Sequence, residues 1–381
     1  MILFAIVLLL LAVLPDLYIW FSFVHSDVSV WWSAAYWIPS ALALGTFAAA
    51  ASGYYSDWTT KLFTALLLCI IVPKLLFVLV SLLGRAVGIF AGGAANIADI
   101  TGGVLATAVA IAFLYGFVAG WNRLEVEHTV LSFDTLPASF DSYRLVQISD
   151  LHTGTFGNDT TFIKKLTDSV NAQNPDLVVF TGDIVNNSAD ELRPFAEILS
   201  RIKATDGVLS ILGNHDYCEY GHGHGEAMRN LEELKMLEAG MGWRLLLNEH
   251  ATVCRHGDSI AVIGVENDGR PPFPSRGDLN GAMRGIPQNT FKILLSHDPT
   301  HWCREVLPRT DIALTLSGHT HAMQLKIGRF SPSAFVYPQW GGVYRDNGRV
   351  LHVSTGAGGT VPFRFGAWPV INVITLKRKT V

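Results

Sequence analysis

Carboxylate, amide and imidazole side chains recur at five places between residues 150 and 321, each directly after a short apolar run. The motifs are D-L-H at 150–152, G-D at 182–183, G-N-H-D at 213–216, H-D at 297–298 and G-H-T-H at 318–321. Asp, His and Asn without Cys form a ligand set that suits Mn, Fe or Zn in a reactive site better than a thiolate-bound structural zinc. The motifs therefore predict metal chemistry.

The candidate ligands outnumber what a single open catalytic ion takes, which is about three protein side chains. Two ions about 3.5–4 Å apart that share a carboxylate account for the number. His319 and His321, separated only by Thr320, can then serve one ion each. Each motif alone has an ordinary explanation, because Asp is common after strands and Gly-Asn marks turns. Five motifs in one chain favour a binuclear site.

The apolar runs that precede these motifs predict strands, and they alternate with segments of helical spacing. The predicted strands are Tyr143–Ser149, Leu177–Thr181, Val208–Leu212, Ser259–Val265, Phe291–Ser296, Ile312–Leu316, His352–Thr355 and Val370–Leu376. Helices are predicted at Asn158–Val170 and Glu191–Lys203. This alternation indicates an α/β domain with a largely buried sheet. Ligands of open α/β sheets bind beyond the carboxyl ends of the strands, so the five motifs should meet at one edge.

The first 120 residues have a different composition from the rest. They carry seven charged residues, whereas the following 261 carry the other 53. Several apolar runs approach the ~20 residues needed to cross a bilayer. The four predicted spans are Ile2–Val24, Val30–Ala51, Leu62–Leu83 and Thr101–Gly120, with Ala86–Ile100 as a loop. We therefore predict a helical membrane domain at 1–122, a linker at 123–142 and a catalytic domain at 143–381.

Charged residues give weaker signals about orientation and partners. With four spans, Lys61 and Arg123 lie on one side and Arg85 on the other, so the excess of basic residues favours cytoplasmic termini and a cytoplasmic catalytic domain. Lys74 and Asp16 inside spans could form a transport site. We favour a lysine that either reaches toward the interface or follows a proline break, and an aspartate near a span end. The net charge of −4 gives no reason to expect nucleic acid as a partner.

From about Tyr143 to the C-terminus, the ordered motifs resemble the calcineurin-like metallophosphoesterase superfamily. The resemblance implies a four-layer α/β/β/α sandwich with two mixed sheets, and two divalent metal ions (Mn, Fe or Zn, with Mn favoured). It assigns ligands in three sets: Asp150, His152 and His321 to one ion, Asn214, His297 and His319 to the other, and Asp183 to both. It also implies that a metal-bridging hydroxide attacks phosphorus. His215, oriented by Asp216, would protonate the leaving oxygen or stabilise the transition state.

A narrower resemblance links the chain to the membrane-attached subgroup, the transmembrane proteins with a metallophosphoesterase domain. It is carried by the spans, the D-L-H motif and the tail STGAGGTVPFRFGAWPVINVITL at 354–376. It implies hydrolysis of UDP-2,3-diacylglucosamine in lipid A synthesis, and hence a bacterial inner membrane. Two positions depart from the pattern. Ala322 and Met323 stand where the subgroup usually has glycines, and His215 stands where dedicated cytosolic hydrolases of this lipid carry Arg.

The leading hypothesis is a membrane-anchored binuclear phosphohydrolase that cleaves a phosphoester or pyrophosphate bond of a lipid-linked substrate. The alternatives are a general phosphodiesterase or phosphatase of unknown substrate, and an inactive membrane sensor. Arg364 is a candidate phosphate contact. The G-H-G-H-G-E stretch at 221–226 predicts a mobile loop, a substrate lid or a further metal site, and Phe330–Trp340 predicts either membrane contact or a packed hairpin edge. The oligomeric state is left open.

Overall fold

The computed structural model describes residues 2–25, 28–52, 57–220 and 222–379. The chain divides into two compact units, Met1–Ala119 and Gly120–Val381. We call them unit 1 and unit 2. Unit 1 is helical and unit 2 is an α/β structure.

Unit 1 consists of long apolar helices. They are α1 Ile2–Ile19, α2 Val30–Ala51, α3 Asp57–Leu66, α4 Val72–Gly88 and α5 Ala94–Val118. A π-helical turn, Leu67–Ile71, joins α3 to α4 in one continuous helical stretch. Within the described residues, three stretches are long and apolar enough to cross a membrane: Ile6–Val24, Trp58–Gly88 and Ala94–Asn122. The α2 helix also has bilayer length, but its Trp, Tyr, Ser and Pro residues lower its hydropathy and it is not among the three.

The predicted loop at Ala86–Ile100 is wrong over most of its length. Helix α4 continues to Gly88 and α5 begins at Ala94, so only 89–93 connects them. Glycine and alanine suggested a loop, yet in membrane helices small residues let two backbones approach closely. A Cβ at Gly84 would collide with Ala98 of α5. The small residues therefore mark the contact between α4 and α5.

Two ion pairs join helices of unit 1. Lys74 Nζ lies 2.6 Å from Asp16 Oδ1, and the Tyr36 hydroxyl donates to the Asp16 carbonyl at 2.8 Å. Arg85 lies 3.3 Å from Asp99. The contact of Lys74 with Asp16 was not foreseen from the sequence. Each cation meets a carboxylate from another helix, which lowers the energy of both charges in an apolar surrounding.

Unit 2 contains twelve described strands in two mixed sheets. The first sheet has the order β1-β12-β2-β3-β4-β5 and the second has the order β10-β11-β9-β8-β7-β6. The strands are β1 Glu125–Phe133, β2 Arg144–Ile148, β3 Leu177–Phe180, β4 Val208–Ser210, β5 Arg244–Leu245, β6 Glu249–Arg255, β7 Asp258–Gly264, β8 Phe291–Leu295, β9 Leu314–Ser317, β10 Gly342–Asp346, β11 Arg349–Val353 and β12 Val370–Arg378. The helices are α6 Thr161–Asn171, α7 Arg193–Leu199, α8 His224–Gly240, α9 Leu279–Ala282 and α10 Leu307–Arg309.

Three apolar layers hold unit 2 together. Residues of α6, α7 and α8 pack on one face of the first sheet, around Phe162 and Phe195. The inner faces of the two sheets pack on each other, around Leu145 and Ile293. The outer face of the second sheet packs against the region of α9 and α10, around Trp302. This is the predicted α/β/β/α sandwich, and burial on both faces explains why strands such as β3 are uniformly apolar.

The segment predicted as a linker, 123–142, is part of the sandwich. Its residues Glu125–Phe133 form β1, which pairs in parallel with β12 over its whole length. Only Leu131 and Phe133 of β1 are buried, because β1 is an edge strand with one exposed face. The sequence analysis interpreted the hydrophilic residues of this segment as a linker. Gly120 and Trp121 also belong to unit 2, where Trp121 stacks on Phe156 at 5.4 Å.

Candidate metal centre

The predicted site residues lie at the carboxyl ends of neighbouring strands. Asp150 follows β2 and Asp183 follows β3, which are adjacent in the first sheet. His297 follows β8 and His319 follows β9, which are adjacent in the second sheet. The two sheets face each other, so these strand ends meet in one buried region, as the sequence predicts.

One group of ligand atoms comprises Asp150, His152, Asp183 and His321, and all lie within 4.8 Å of one another. His321 Nε2 is 3.2 Å from Asp150 Oδ1 and 3.1 Å from His152 Nε2. His152 Nε2 is 3.6 Å from Asp183 Oδ2. Both aspartates and His152 are buried, so the group is withdrawn from bulk water.

The second group comprises Asp183, His297 and His319. His297 Nε2 lies 3.1 Å from Asp183 Oδ2, the same oxygen that faces His152. Asp183 therefore belongs to both groups, as a bridging ligand must. Its other oxygen, Oδ1, accepts the backbone N–H of His215 at 2.8 Å, which fixes the carboxylate between the two groups.

Two observations show that the donor set suits cations. The ring nitrogens of His152 and His321 lie 3.1 Å apart, close enough for both to bind one ion. Asn214 Oδ1 is buried and has no hydrogen-bond partner among the described residues, while its Nδ2 donates to the Tyr220 hydroxyl at 3.0 Å. An amide oxygen held in this way can bind a metal. Nitrogen and oxygen donors without sulfur suit Mn, Fe or Zn, and they do not single out one of the three.

The electrostatics of the centre favour the metal-binding protonation states of some ligands. Burial raises the pKa of Asp183, but the nearby His297 and His215 rings outweigh it and hold that pKa well below its usual range. Burial and the neighbouring His215 hold the pKa of His152 well below its usual value, so its ring is neutral. Burial lowers the pKa of His297, but Asp183 outweighs burial and raises it to about 10. A metal ion at His297 would therefore displace a proton.

The backbone of the centre is strained. Five of the seven predicted ligands have left-handed φ angles: Asp150 (54°), His152 (50°), Asp183 (60°), His319 (72°) and His321 (49°). Side chains with a Cβ adopt this region at a cost of roughly 1–2 kcal/mol each. Such residues persist where the surrounding structure fixes them, and they cluster at functional sites. The strain lets each short connection turn its side chain back into the space beyond the strand.

The predicted pairing of His215 with Asp216 is wrong. Asp216 is buried and accepts the backbone N–H groups of Asp183, Ile184 and Gly213 at 2.7–2.8 Å. It therefore fixes the loop that carries Asp183. His215 Nδ1 instead bonds the carbonyl oxygen of Asn186 at 2.7 Å. The ring of His215 lies edge-to-face with His152, with the two centroids 4.8 Å apart, so it does lie beside the metal ligands.

Arg364 is not placed to bind phosphate. Its side chain is fully buried, and its guanidinium donates to the carbonyl oxygens of Gly358 and Ala367. Burial lowers its pKa to about 10, with Asp150 acting in the opposite direction. Arg364 thus ties the glycine-rich 356–359 segment to the tail, a structural role that its sequence context did not reveal.

Sequence reasoning missed three residues that contact the candidate ligands. Asn186 Oδ1 lies 3.0 Å from His152 Nδ1, so Asn186 orients His152 through its side chain and His215 through its carbonyl. The Tyr337 hydroxyl lies 2.8 Å from His319 Nε2. The Tyr220 hydroxyl accepts a hydrogen bond from Asn214 Nδ2, and its ring lies 4.7 Å from that of His215 at a tilt of 43°. Asn186 could have been found from the sequence, because it stands only three residues after Asp183. Tyr337 is far from the motifs along the chain, so no sequence signal pointed to its contact with His319.

The G-H-G-H-G-E stretch does not join the centre. Gly221 lies outside the described residues. His224 begins helix α8, so the stretch leads into a helix. His222 Nε2 lies 3.6 Å from Glu226, and neither histidine belongs to the two metal-ligating groups found within the described residues.

These features define the class of protein. The family "Calcineurin-like phosphoesterase" matches residues 143–323, and "Probable Calcineurin-like phosphoesterase, transmembrane domain" matches residues 1–121. The chain belongs to the calcineurin-like metallophosphoesterases with a transmembrane domain. It is an integral membrane protein and a metal-dependent phosphoester hydrolase with a buried Asp/His centre.

Two sequence relatives support the same conclusion. An uncharacterized metallophosphoesterase of Bacillus subtilis, YkuE, is 31% identical over 66% of this chain and 84% of its own length. A transmembrane protein with metallophosphoesterase domain from Danio rerio is 33% identical over 71% of this chain and 61% of its own. Among solved structures, the phosphopantetheinyl hydrolase of Mycobacterium tuberculosis is similar at 16% identity over 58% of this chain and 91% of that one, with a TM-score of 0.38.

Proposed function

We propose that this membrane-anchored enzyme cleaves a phosphoester or pyrophosphate bond of a lipid-linked substrate, in the manner of a UDP-2,3-diacylglucosamine hydrolase of lipid A synthesis. The observation that carries the hydrolytic part is Asp183, whose carboxylate lies in both ligand groups. The observation that supports a lipid-linked substrate is the membrane domain, because an enzyme held in a bilayer meets lipids at a high effective concentration.

Two divalent ions, when bound, supply Lewis acidity toward phosphoryl oxygens and a nucleophile at neutral pH. The residues of the chain position the ligands and supply the proton donor. Asp216 holds the Asp183 loop through backbone hydrogen bonds, so the shared carboxylate is fixed before substrate arrives. The Asn186 carbonyl accepts from His215 Nδ1–H, so the doubly protonated ring is the form that would give its Nε2 proton to the leaving oxygen.

We further propose manganese as the native metal and the cytoplasmic side of a bacterial inner membrane as the location of unit 2. The oxygen-containing donor set supports manganese, since carboxylate and amide oxygens suit it. The positions of Lys61 and Arg123 support the orientation in a four-span arrangement. Phosphorylated lipid-linked molecules and membrane lipid are the expected partners, without nucleic acid.

The test uses the purified full-length protein in nanodiscs, loaded with Mn²⁺ after removal of other metals. Bis-p-nitrophenyl phosphate and UDP-2,3-diacylglucosamine are offered as separate substrates, with Asp183→Asn as the matched inactive variant. We expect metal-dependent hydrolysis of both, with release of UMP from the lipid-linked substrate. Hydrolysis of the soluble diester alone would favour a general phosphodiesterase. No hydrolysis of either by a metal-loaded protein would favour the sensor.

A further inference from the structure

Large apolar side chains are exposed together on the segment that follows His321. Unit 2 exposes ten large hydrophobic residues among those described, and five of them lie between 323 and 336. These five, which we call the apolar rim, are Met323, Ile327, Phe330, Phe335 and Val336. Phe335 is 83% exposed, and its ring lies 5.9 Å from that of Phe330. Exposed apolar side chains that cluster in this way mark an interaction surface more often than single exposed apolar residues do.

The apolar rim is held on a fixed backbone. Ser331 Oγ donates to the Ala322 carbonyl at 2.6 Å, and Gln324 Nε2 donates to the carbonyl oxygens of Val361 and Phe363 at 2.9 and 2.6 Å. Ile327 and Phe330 exchange backbone hydrogen bonds across a tight turn. The side chains are therefore presented to the surroundings by internal bonds.

The backbone at the start of the rim is unfavourable for the residues found there. Ala322, Met323 and Gln324 all have left-handed φ angles, of 51°, 47° and 57°. Glycine would adopt these angles without strain. Met323 is nonetheless present with its side chain exposed. Backbone strain that persists at a residue with an exposed apolar side chain indicates that this side chain has a functional role.

The rim is continuous with the metal centre at both ends. Met323 stands two residues after His321. Beyond Val336, the Tyr337 hydroxyl contacts His319 at 2.8 Å, and the Trp340 carbonyl accepts from Thr320 Oγ1 at 2.6 Å. Whatever covers the rim therefore lies beside the segment that carries His319 and His321.

The charge of the segment fits a lipid surface. Residues 322–340 contain Lys326 and Arg329 and no Asp or Glu. Aromatic and aliphatic side chains flanked by basic residues insert into the interface of anionic bilayers. We infer that the apolar rim inserts into the interface of the anionic bilayer that holds the protein, next to the catalytic centre. A second copy of the chain is the less favoured occupant, because two segments that carry Lys326 and Arg329 would repel each other.

The test measures membrane depth in the full-length protein and does not require catalysis. A nitroxide spin label is attached to Phe335→Cys, to Phe330→Cys and, as a matched control, to Met236→Cys, which replaces an apolar residue of α8 that is 68% exposed. Cys69, Cys254 and Cys303 are first replaced by serine, and Cys218 is buried. The proteins are placed in nanodiscs of phosphatidylcholine and phosphatidylglycerol, and collision rates with oxygen and with a water-soluble nickel chelate are compared. Melting temperatures confirm that each variant is folded.

We expect the ratio of the collision rate with oxygen to the collision rate with the nickel chelate to be several-fold higher for labels at 335 and 330 than for the label at 236. Omission of phosphatidylglycerol should reduce the difference, because Lys326 and Arg329 then lose their anionic partners. An equal ratio at all three positions would overturn the inference. Strong dipolar broadening between labels at 335 would also overturn it, since a second copy would then cover the rim. The inference extends the proposed function, but the depth measurement gives its answer whatever substrate the enzyme hydrolyses.

Discussion

The two units differ in the partners of their buried charged and polar groups. In unit 1, Lys74 Nζ lies 2.6 Å from Asp16 Oδ1, so each charge meets its opposite within the helices. In unit 2, His152 and His321 direct ring nitrogens at each other and Asn214 Oδ1 has no partner in the described part of the chain. The unit 1 pair brings opposite charges together within the fold, whereas the nitrogen and oxygen donors of unit 2 are clustered so that they can bind a cation from outside. The partners of a buried group, more than its burial, separate a structural role from a catalytic one.

The largest effect should follow from the loss of Asp183. Because its carboxylate serves both ligand groups, we expect Asp183→Ala to abolish hydrolysis of bis-p-nitrophenyl phosphate and to remove most of the bound metal. Activity assays and elemental analysis measure both. Asp190→Ala is the matched control, since Asp190 is an exposed carboxylate paired with Arg193 and should keep full activity. Full metal content in Asp183→Ala would refute the bridging role.

A smaller loss of activity should follow from removal of His215. We expect His215→Ala to retain its metal and to lose about 10²–10⁴-fold in kcat for an alkyl phosphodiester, the usual contribution of general acid catalysis. The loss should shrink for p-nitrophenyl esters, whose leaving group needs no proton. His256→Ala, at an exposed histidine, is the control. Equal losses for both leaving groups would show that His215 acts in another way.

The ion pair of unit 1 should affect stability alone. Lys74→Met leaves Asp16 without its partner, and loss of one member of a buried pair typically destabilises by about 3–5 kcal/mol. The double variant Lys74→Met/Asp16→Leu should recover much of that loss, because no charge remains. Melting curves in detergent compare the variants, and hydrolysis of the soluble diester should be unchanged below the transition. A double variant as unstable as the single one would contradict the structural role.

Glu238 illustrates a third state of a buried carboxyl group. Burial raises its pKa from 4.5 to about 8, and its Oε2 lies 2.5 Å from Ser210 Oγ. The unfolded chain ionises first, so this group contributes stability below pH 4.5 that is lost as the pH rises toward 8. Over pH 5–8 the loss is on the order of 4 kcal/mol. Glu238→Gln should therefore gain stability relative to the wild type as pH rises, and a constant difference between their melting curves would contradict this.

The parts of the structure that sequence predicted well are those governed by local rules. Continuous apolar runs gave β2, β3 and β8 to within a residue or two, and polar residues after them gave the centre. Strand β1 was missed because an edge strand with one exposed face resembles a charged join. Helix α8 was missed because the glycines and histidines before it suggested a loop.

The parts that failed depend on contacts between distant residues. The position of Asp216 next to His215 in sequence did not predict the hydrogen-bond partner of His215, because successive residues at a strand end point in different directions. The partner is the carbonyl of Asn186. Arg364 looked available for phosphate because nothing in its sequence shows that two backbone carbonyls surround it. Helix α7 ends at Leu199, short of the predicted Lys203, although the apolar spacing continues to Ile202.

The number of metal ions bound by each chain tests the binuclear centre most directly. Elemental analysis of the wild type, His152→Ala and His297→Ala counts the ions in proteins prepared with the same excess of Mn²⁺. His152 lies in one ligand group and His297 in the other. We predict two ions in the wild type and about one in each variant. One ion in the wild type, or two retained in either variant, would contradict the binuclear centre.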